Sequence, residues 1–298
     1  MNNYHTPVLL KEVVELLQVQ AGKQYIDATI GGAGHTKALL EKGAKVLGID
    51  ADQDALDYVQ ANLKTQITNG KLVLAKGNFR DLAKIAHLNS FERVSGILFD
   101  LGVSSHQVDT ANRGFSFLKE GPLDMRMDKE QSVTAETLVN LLEKGELYDL
   151  FNKLGQEHRA WSISNSVVSA RKIKAIQTTQ ELADVVAKAY GRTGEVSDWT
   201  KNKINQKVFQ ALRMAVNNEL ENIQIALPQA INLLDDKGRI AVISFHSLED
   251  GIVKQTFKDF KEKGLGKIIT DKPIEATKGE KERNSRSRSA KLRVFEKN

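Results

Sequence analysis

Hydrophobic and polar positions along the first hundred residues alternate between two periods. Short apolar runs that are typical of buried strands occupy Gln24–Ile30, Lys45–Ile49, Leu72–Ala75 and Val94–Phe99. Apolar residues at helical spacing flank these runs, over Val8–Leu17, Thr36–Lys42, Asp54–Leu63 and Leu82–Leu88. This alternation predicts an α/β fold with a parallel sheet covered by helices on both faces. Ligands of such sheets bind beyond the carboxyl ends of the strands.

The strand pattern stops near Asp109, and apolar residues at helical spacing follow as far as Lys203. A long helical pattern then starts at Ile204, and we expect Pro228 to kink or divide it. Further strands are predicted at Gly238–Phe245, Leu265–Ile269 and Leu292–Phe295. The sequence therefore predicts a discontinuous α/β domain of residues 1–108 and 204–298, interrupted by an inserted all-helical domain of residues 109–203.

Composition narrows the class of protein. Hydrophobic residues make up 41% and charged residues 27%, as in ordinary globular proteins, and no apolar run approaches the ~18 residues of a membrane span. Lys11, Glu12 and Glu15 interrupt the first apolar stretch, which argues against a signal peptide and favours a cytoplasmic protein. The six histidines lack the spacing of a metal site, so no metal is expected.

The sequence contains no cysteine. Disulfides, thiolate metal sites and cysteine nucleophiles are therefore excluded. Enzymes that methylate carbon 5 of cytosine need a cysteine to activate the ring, so that chemistry is excluded as well.

A glycine turn follows the first strand and opens the next helix. Gly31-Gly32-Ala33-Gly34 lies at this point, and Asp50 ends the following strand 19 residues after Gly31. An acid in that place can accept both hydroxyls of a ribose, while glycines let the backbone approach a ligand. The spacing does not fit the dinucleotide fingerprint G-x-G-x-x-G, which favours S-adenosylmethionine over a dinucleotide. A structural turn without a ligand stays open as an alternative.

Two more strand ends carry candidate residues. Phe79 follows the third strand, where its ring could stack on adenine or pack in the core. Asp100 closes the fourth strand and precedes the loop Leu101-Gly102-Val103-Ser104-Ser105, next to the place of a transferable methyl group. A strand-terminal acid followed by a Gly/Ser loop has little packing reason to exist, so Asp100 is the stronger candidate.

Longer motifs occur in one order from Tyr4 to Lys254. They read HTPVLLKEVVELL, DATIGGAGHT, ILFDLGVSSHQVD, RGFSF, GPLDMRMD and VISFHSLEDGIVK, and the chain closes with RSRSAKLRVFEK. In these motifs the sequence resembles the bacterial small-subunit rRNA cytosine-N4 methyltransferase family (MraW/RsmH), over nearly the whole chain. GPLDMRMD and ISFHSLED are far more specific than the glycine turn.

The resemblance implies a fold, a reaction and a partner. The fold is that of a class I, Rossmann-like S-adenosylmethionine-dependent methyltransferase, with a C-terminal antiparallel strand and an inserted helical domain that helps to bind RNA. The reaction transfers a methyl group from S-adenosylmethionine to the exocyclic N4 amine of a decoding-centre cytidine. The partner is 16S rRNA within the small ribosomal subunit, and the protein would act as a monomer or homodimer without a membrane.

The resemblance also implies which residues bind the cofactor. Its contacts fall on Ala33 (through the backbone), Gly34, His35, Asp50, Phe79, Asp100 and Gln107. The chain departs from the family pattern at His106, where many relatives are expected to have proline.

Two residues are candidates for catalysis. Asp100 could accept a hydrogen bond from the target amine and raise its electron density, or it could bind the cofactor only. His246, together with Glu249 after the strand Gly238–Phe245, could contact the target base or could be a hydrogen-bonded structural histidine. His35 lies at a helix N-terminus, which disfavours its charged form, so we interpret it as a neutral hydrogen-bonding group.

Other functions fit parts of the same pattern. A methyltransferase of this fold could act on DNA or protein, and a non-catalytic RNA-binding assembly factor could retain the pocket for stability. Loss of function in Asp50→Ala would argue against the assembly factor, because cofactor binding would be lost. A labelled-methyl assay across RNA, DNA and protein would separate the substrates.

The net charge of +5 is concentrated at the C-terminal end. Residues Lys278 to Lys297 hold eight Lys or Arg against three Glu, so the rest of the chain is neutral. A mobile basic segment of this kind suits phosphate contacts, although a solvated loop is an alternative. A smaller cluster, Arg171, Lys172 and Lys174, lies in the predicted helical domain and could face the same RNA.

Overall fold

The computed structural model describes residues 6–190 and 198–298. The chain forms two compact units, one of residues 1–104 and 220–298 and the other of residues 105–219. Its helices are α1 (Leu10–Leu16), α2 (Gly34–Glu41), α3 (Gln53–Asn62), α4 (Lys64–Thr68), α5 (Leu82–Leu88), α6 (Ser105–Asp109), α7 (Ala135–Leu141), α8 (Lys144–Asp149), α9 (Ala160–Arg171), α10 (Thr179–Tyr190), α11 (Asp198–Val216), α12 (Glu219–Leu233), α13 (Ser247–Glu262) and α14 (Lys278–Arg283).

One sheet organises the first unit. Its strands within the described residues are β1 (Gln24–Asp27), β2 (Lys45–Asp50), β3 (Leu72–Lys76), β4 (Val94–Asp100), β5 (Leu234–Ser244), β6 (Gly266–Ile268), β7 (Ile274–Glu275) and β8 (Lys291–Lys297). They lie in the order β3-β2-β1-β4-β5-β8-β6, and β7 pairs with β8. Strands β1 to β5 are parallel, while β8 is antiparallel to β5 and β6. The predicted fold class, mostly parallel with a C-terminal antiparallel strand, is confirmed.

Both faces of the central strands are buried, which explains their continuous apolar runs. On β1 and β4, Ile26 and Ile97 face one hydrophobic core, whereas Tyr25 and Leu98 face the other. Successive strand side chains point to opposite faces, so one strand serves both cores. Packing on both faces of the sheet therefore holds the carboxyl ends of these strands in place.

The second unit is helical and longer than the predicted segment of residues 109–203. It contains α6 to α11, and one isolated bridge joins Pro122 and Thr178. Helix α11 packs against α7, α10 and the π-helical turn Leu150–Leu154, so residues up to Glu219 belong to this unit. The predicted boundary missed this packing because the apolar pattern of α11 continues into α12.

The predicted long helix is divided at a different place from the one expected. Asn217 and Asn218 separate α11 from α12, and Asn218 has a φ of 50°. Asparagine adopts this left-handed conformation more readily than most residues, and it ends helices. Pro228 lies inside α12 and does not end it.

The GPLDMRMD motif is an ion-paired loop in the second unit. Arg126 pairs with Asp124 at 2.8 Å and donates to the carbonyl oxygens of Lys129 and Gln131. Asn217 accepts the Met127 N–H and donates to the Met125 carbonyl oxygen, both at 2.8 Å. These contacts give the motif a structural role in fixing the loop.

The basic C-terminal stretch is ordered, so the expectation of a mobile segment was wrong. It forms α14, a 3₁₀ turn over Ser285–Ser289, and β8. Strand β8 lies between β5 and β6, with Leu292, Val294 and Phe295 in the two cores. Burial on both faces fixes the strand, and the residues before it are confined between two ordered elements.

No helix among the described residues is long and apolar enough to cross a membrane.

Candidate cofactor and active site

Three aspartates end neighbouring strands at one edge of the sheet. Asp27 ends β1, Asp50 ends β2 and Asp100 ends β4. Strand β1 pairs in parallel with both β2 and β4, so the three carboxyl ends are adjacent. The structure therefore brings Asp50 and Asp100 to the same edge, as the alternation of strands and helices predicts.

Asp50 is held by backbone donors. Its Oδ2 accepts the Gly31 N–H at 2.8 Å, and its Oδ1 accepts the Asp52 N–H at 2.9 Å. Each carboxylate oxygen can accept about two hydrogen bonds, so both retain capacity for a ligand hydroxyl. Burial outweighs the two N–H donors and raises the pKa of Asp50 to about 6.

The glycine turn leaves room for a ligand at one point and packs tightly at another. A Cβ built on Gly31 would have Thr29 O, at 3.9 Å, as its nearest neighbour beyond the adjacent residues in the described chain. A Cβ on Gly34 would lie 2.9 Å from the ring of Pro7, so glycine is required there by packing. Ala33 has a φ of 59° at the N-cap of α2, and its predicted backbone contact with the cofactor stays a prediction.

Asp27 lies next to this turn and supports it. Its Oδ2 accepts the Thr36 hydroxyl at 2.6 Å, and its Oδ1 accepts the Thr29 N–H at 3.3 Å. The side chain is fully buried, and the loss of hydration raises the pKa of Asp27 despite these donors and the nearby His35. Asp27 thus ties the end of β1 to the first turn of α2.

Asp100 faces His35 across this edge. The Asp100 N–H donates to Thr29 Oγ1 at 2.7 Å, and Asp100 Oδ2 lies 3.6 Å from His35 Nδ1. His35 Nε2 lies 2.9 Å from the Val8 carbonyl oxygen. A carbonyl oxygen only accepts, so Nε2 carries a proton and Nδ1 is the nitrogen that faces Asp100.

Phe79 lies in the first unit and Gln107 in the second. Phe79 starts a 3₁₀ turn after β3, is half-buried, and meets Phe99 edge-to-face with 5.8 Å between ring centroids. Its ring packs against the core, and its partial exposure is compatible with adenine stacking. Gln107 is buried in α6, in the second unit, and its predicted cofactor contact stays a prediction.

His246 caps helix α13 at the carboxyl end of β5. Its Nδ1 accepts the Glu249 N–H at 3.4 Å, and Glu249 Oε2 accepts the His246 N–H at 3.3 Å. These reciprocal contacts form a capping box, with histidine at the N-cap. This geometry supports the interpretation of His246 as a hydrogen-bonded structural histidine. A contact between His246 and the target base stays a prediction.

Sequence reasoning missed three polar contacts of the site. Thr36 binds Asp27, Thr29 binds the Asp100 N–H, and the Val8 carbonyl oxygen binds His35. Thr29 and Thr36 flank the glycine turn, and a hydroxyl at a strand end or in a first helical turn is a usable signal for such contacts. The Val8 contact joins residues 27 positions apart and has no local signal.

Comparison with known proteins identifies the family. The sequence profile described as the MraW methylase family matches residues 2–298. The chain belongs to the MraW methylase family. It is therefore a methyltransferase, and its cofactor is S-adenosylmethionine.

Curated relatives match the full length. The chain is 45% identical to "Ribosomal RNA small subunit methyltransferase H" of Coprothermobacter proteolyticus, over 100% of this chain and 98% of the relative. It is 40% identical to the protein of the same name from Finegoldia magna, over 98% of each. Among solved structures, SMU.1697c of Streptococcus mutans in complex with SAH has 13% identity and a TM-score of 0.47, with 98% and 99% of the chains covered.

The residues at the sheet edge fit this cofactor. Asp50 presents two carboxylate oxygens for a ribose diol, and the space beside Gly31 is open. The backbone N–H groups of the first turn of α2 come directly after the glycine turn in the chain. The oxygens of Asp50 are thus suited to the ribose of a nucleoside cofactor.

Proposed function

We propose that the protein transfers a methyl group from S-adenosylmethionine to the exocyclic N4 amine of a decoding-centre cytidine in 16S rRNA of the small ribosomal subunit. The name shared by the full-length relatives supports an rRNA substrate. The proposed chemistry rests on one observation, which is that Asp50, Asp100 and the glycine turn lie together at the carboxyl ends of neighbouring strands. An rRNA substrate also accords with a cytoplasmic location.

In this proposal the cofactor lies along the carboxyl edge of β1, β2 and β4. Asp50 binds the ribose hydroxyls, Phe79 stacks on the adenine, and the backbone of Ala33 and Gly34 lines the amino-acid end. His35 and Asp100 lie beside the methyl-bearing end, and Gln107 closes the pocket. The cofactor supplies an electrophilic methyl group on a sulfonium.

Asp100 is the proposed hydrogen-bond acceptor for the target amine. The cytosine amine is a poor nucleophile because its lone pair is delocalised into the ring. A carboxylate that accepts one N–H raises the electron density on nitrogen as the new N–C bond forms and the donor's S–C bond breaks. One N4 proton then leaves, and Asp100 is the group that we propose to receive it. The side chain is 11% exposed, so water competes little.

Nitrogen methylation also agrees with the lack of cysteine in the sequence. Attack by the amine needs no covalent enzyme–base intermediate. The base must leave its stack to reach the sheet edge, at a cost of a few kcal/mol. An irregular RNA region lowers that cost, because unstacked bases are already accessible there.

Basic residues of both units are the proposed contacts to RNA phosphates. In the C-terminal stretch, Lys278, Arg283 and Arg288 are exposed, whereas Lys291 and Arg293 pair with Asp250. In the helical unit, Lys174 pairs with Glu181, and Lys172 is exposed. The number of cations available to RNA is thus smaller than the charge count alone indicates.

One experiment tests the function directly. Small subunits are purified from cells that lack the activity, incubated with S-adenosylmethionine and the protein, and digested for mass spectrometry of the nucleosides. We expect N4-methylcytidine to appear at a single position. Asp50→Ala should yield none at moderate cofactor concentration.

The products of the same reaction can contradict the proposal. Formation of 5-methylcytidine or a methylated purine, with no N4-methylcytidine, would overturn the assignment of the reacting atom. Methylation of DNA or protein in parallel incubations, with rRNA unmodified, would overturn the substrate. Full biological function of Asp50→Ala would favour a non-catalytic assembly factor.

A further inference from the structure

The residues before α1 form a strap over the glycine turn; we define this N-terminal strap as Thr6–Leu9. The Pro7 ring lies 2.9 Å from the place that a Cβ of Gly34 would take. The Val8 carbonyl oxygen accepts the Nε2–H of His35 at 2.9 Å. Val8 and Leu9 are fully buried. The strap therefore determines both the packing of the turn and the orientation of the His35 ring.

The strap has an unfavourable backbone conformation at its last residue. Leu9 has φ 54° and ψ 33°, in the left-handed region that leucine rarely adopts. Such a conformation persists only when surrounding contacts hold it. It turns the chain into α1 and places the Val8 carbonyl toward His35.

A carboxylate from the other end of the chain holds this residue. Glu280 Oε1 accepts the Leu9 N–H at 2.8 Å, across 271 positions of sequence. Asn284 Nδ2 donates to the Thr6 carbonyl oxygen at 3.3 Å. The segment around α14 thus fixes both ends of the strap.

The local sequence around Glu280 predicts a different contact. Thr277 and Glu280 have the spacing of a capping box, in which the glutamate reaches back to the N-cap N–H. Thr277 makes its half of that motif by accepting the Glu280 N–H at 3.3 Å. The Glu280 side chain instead binds Leu9, so its carboxylate serves the strap rather than its own helix.

We propose that Glu280 is a positioning residue for the cofactor site. By holding the Leu9 N–H, it keeps the Val8 carbonyl in place, which fixes the His35 ring with Nδ1 toward Asp100. In this proposal Glu280 acts through the strap and not by contact with cofactor or substrate. The consequence for methyl transfer rests on the proposed function, whereas the effect on His35 does not.

Four variants separate the contact from charge and from general stability. Glu280→Ala removes the acceptor. Glu280→Asp retains the charge but is one methylene too short to reach Leu9. Glu280→Gln retains an acceptor oxygen at the same reach without the charge. Glu282→Ala, the matched control, removes the same charge from an exposed position of α14.

The primary readout is the His35 side chain in protein labelled with ¹⁵N-histidine. In the unaltered protein we expect an Nε2-protonated ring whose N–H exchanges slowly with solvent. The His35 signals are assigned by their disappearance in His35→Gln. Glu280→Ala and Glu280→Asp should shift these signals and speed exchange about tenfold, with Glu280→Gln and Glu282→Ala close to the unaltered protein. Calorimetry should show S-adenosylhomocysteine bound about tenfold more weakly by the first two variants alone.

Wild-type His35 signals and cofactor affinity in both Glu280→Ala and Glu280→Asp would overturn the proposal. If Glu280→Ala fails to fold, Glu280→Asp decides, because it keeps the charge of α14. Equal losses in Glu280→Ala and Glu282→Ala would also contradict it, since the loss of a negative charge from α14 would then be the cause. If the unaltered protein forms no N4-methylcytidine but the Glu280 variants change the His35 signals as expected, the proposed function is refuted and the positioning role of Glu280 stands.

Discussion

Buried acids occur in two regions of the first unit, and their surroundings differ. At the carboxyl edge, Asp27 and Asp50 accept hydrogen bonds from backbone N–H groups and one threonine hydroxyl. Around β8, Asp250 of α13 pairs with Arg293 of β8 at 2.6 Å, and Glu296 of β8 pairs with Arg239 of β5 at 2.6 Å. Burial raises the pKa of Asp27 and Asp50. Against the same effect of burial, Arg293 lowers the pKa of Asp250, and Lys267 together with Arg239 lowers the pKa of Glu296.

The difference distinguishes carboxylates that retain acceptor capacity from carboxylates whose charge is compensated by a cation. An arginine that forks onto a carboxylate occupies its lone pairs and compensates its charge. A carboxylate held by single backbone donors retains acceptor capacity and remains costly to ionise. The first arrangement locks β8 onto α13, and the second leaves Asp50 able to bind two hydroxyls.

The largest effect on activity is expected at Asp100. Asp100→Asn keeps the shape but removes the acceptor charge, so kcat should fall by roughly 10²–10⁴-fold at saturating cofactor. Single-turnover rates and cofactor affinity, measured separately, check this. A normal kcat with weak cofactor binding would show that Asp100 is a cofactor ligand only. Asp57→Asn, exposed on α3, is the control and should change neither quantity.

The largest effect on stability is expected in the structural region. Arg293→Met leaves Asp250 buried without its main cation and should lower the free energy of unfolding by about 3 kcal/mol. Urea unfolding measures this loss, and cofactor affinity of the folded protein should be unchanged. Lys267→Met removes a cation whose side chain is 62% exposed, and it should cost less than about 1 kcal/mol. Equal losses of unfolding free energy in Arg293→Met and Lys267→Met would contradict the greater importance of the buried cation.

The two regions should also respond to pH with opposite sign. The pKa of Asp50, about 6 in the folded protein, lies above its ordinary value, so its protonation favours the folded state as pH falls through 6. The pKa of Asp250 is lowered, so its contribution to stability is present above its ordinary pKa and is lost as pH falls further.

Cofactor affinity follows from the first of these shifts. Protonation of Asp50 removes the carboxylate that accepts the ribose hydroxyls, so affinity should fall about tenfold between pH 7 and pH 5. Calorimetric titrations across this range test the slope. Asp50→Asn should bind weakly with little pH dependence, and a wild-type profile that is flat from pH 7 to 5 would contradict the assignment.

The smallest effect is expected at the cap of α13. His246→Ala should cost about 1 kcal/mol of stability, while His246→Asn, a good N-cap, should cost much less. Thermal unfolding and kcat of both variants separate the two roles of His246. If both variants lose activity while Asn preserves stability, the histidine contacts the target base.

The sequence predicted the first half of the sheet well because its signals are local. Each strand from β1 to β4 is a short apolar run. Strands β2, β3 and β4 end one residue beyond the predicted place, and β1 ends three residues before it. The break at Asn218 and the end of the helical unit at Glu219 were missed, because an apolar helical pattern runs through both. Packing of α11, which no periodicity reports, determines that boundary.

The candidate site divides in the same way. Asp50, Asp100 and the glycine turn could be identified from sequence because strand ends and glycines mark them. The roles of Glu280 and of the His246 cap could not, since the first depends on a contact 271 positions away and the second on side-chain geometry. The basic stretch was expected to be mobile, yet it continues into a central strand.

The sequence by itself determined the α/β architecture, the family and the strand-end acids, because hydrophobic period and motif order are properties of the linear chain. The tertiary structure alone decided which acids are compensated by arginine and which are held by backbone and hydroxyl donors. It also decided that both chain ends, Thr6–Leu9 and α14, meet beside the glycine turn. Desolvation and hydrogen bonding depend on neighbours in space, and those neighbours exist only once the sheet has formed.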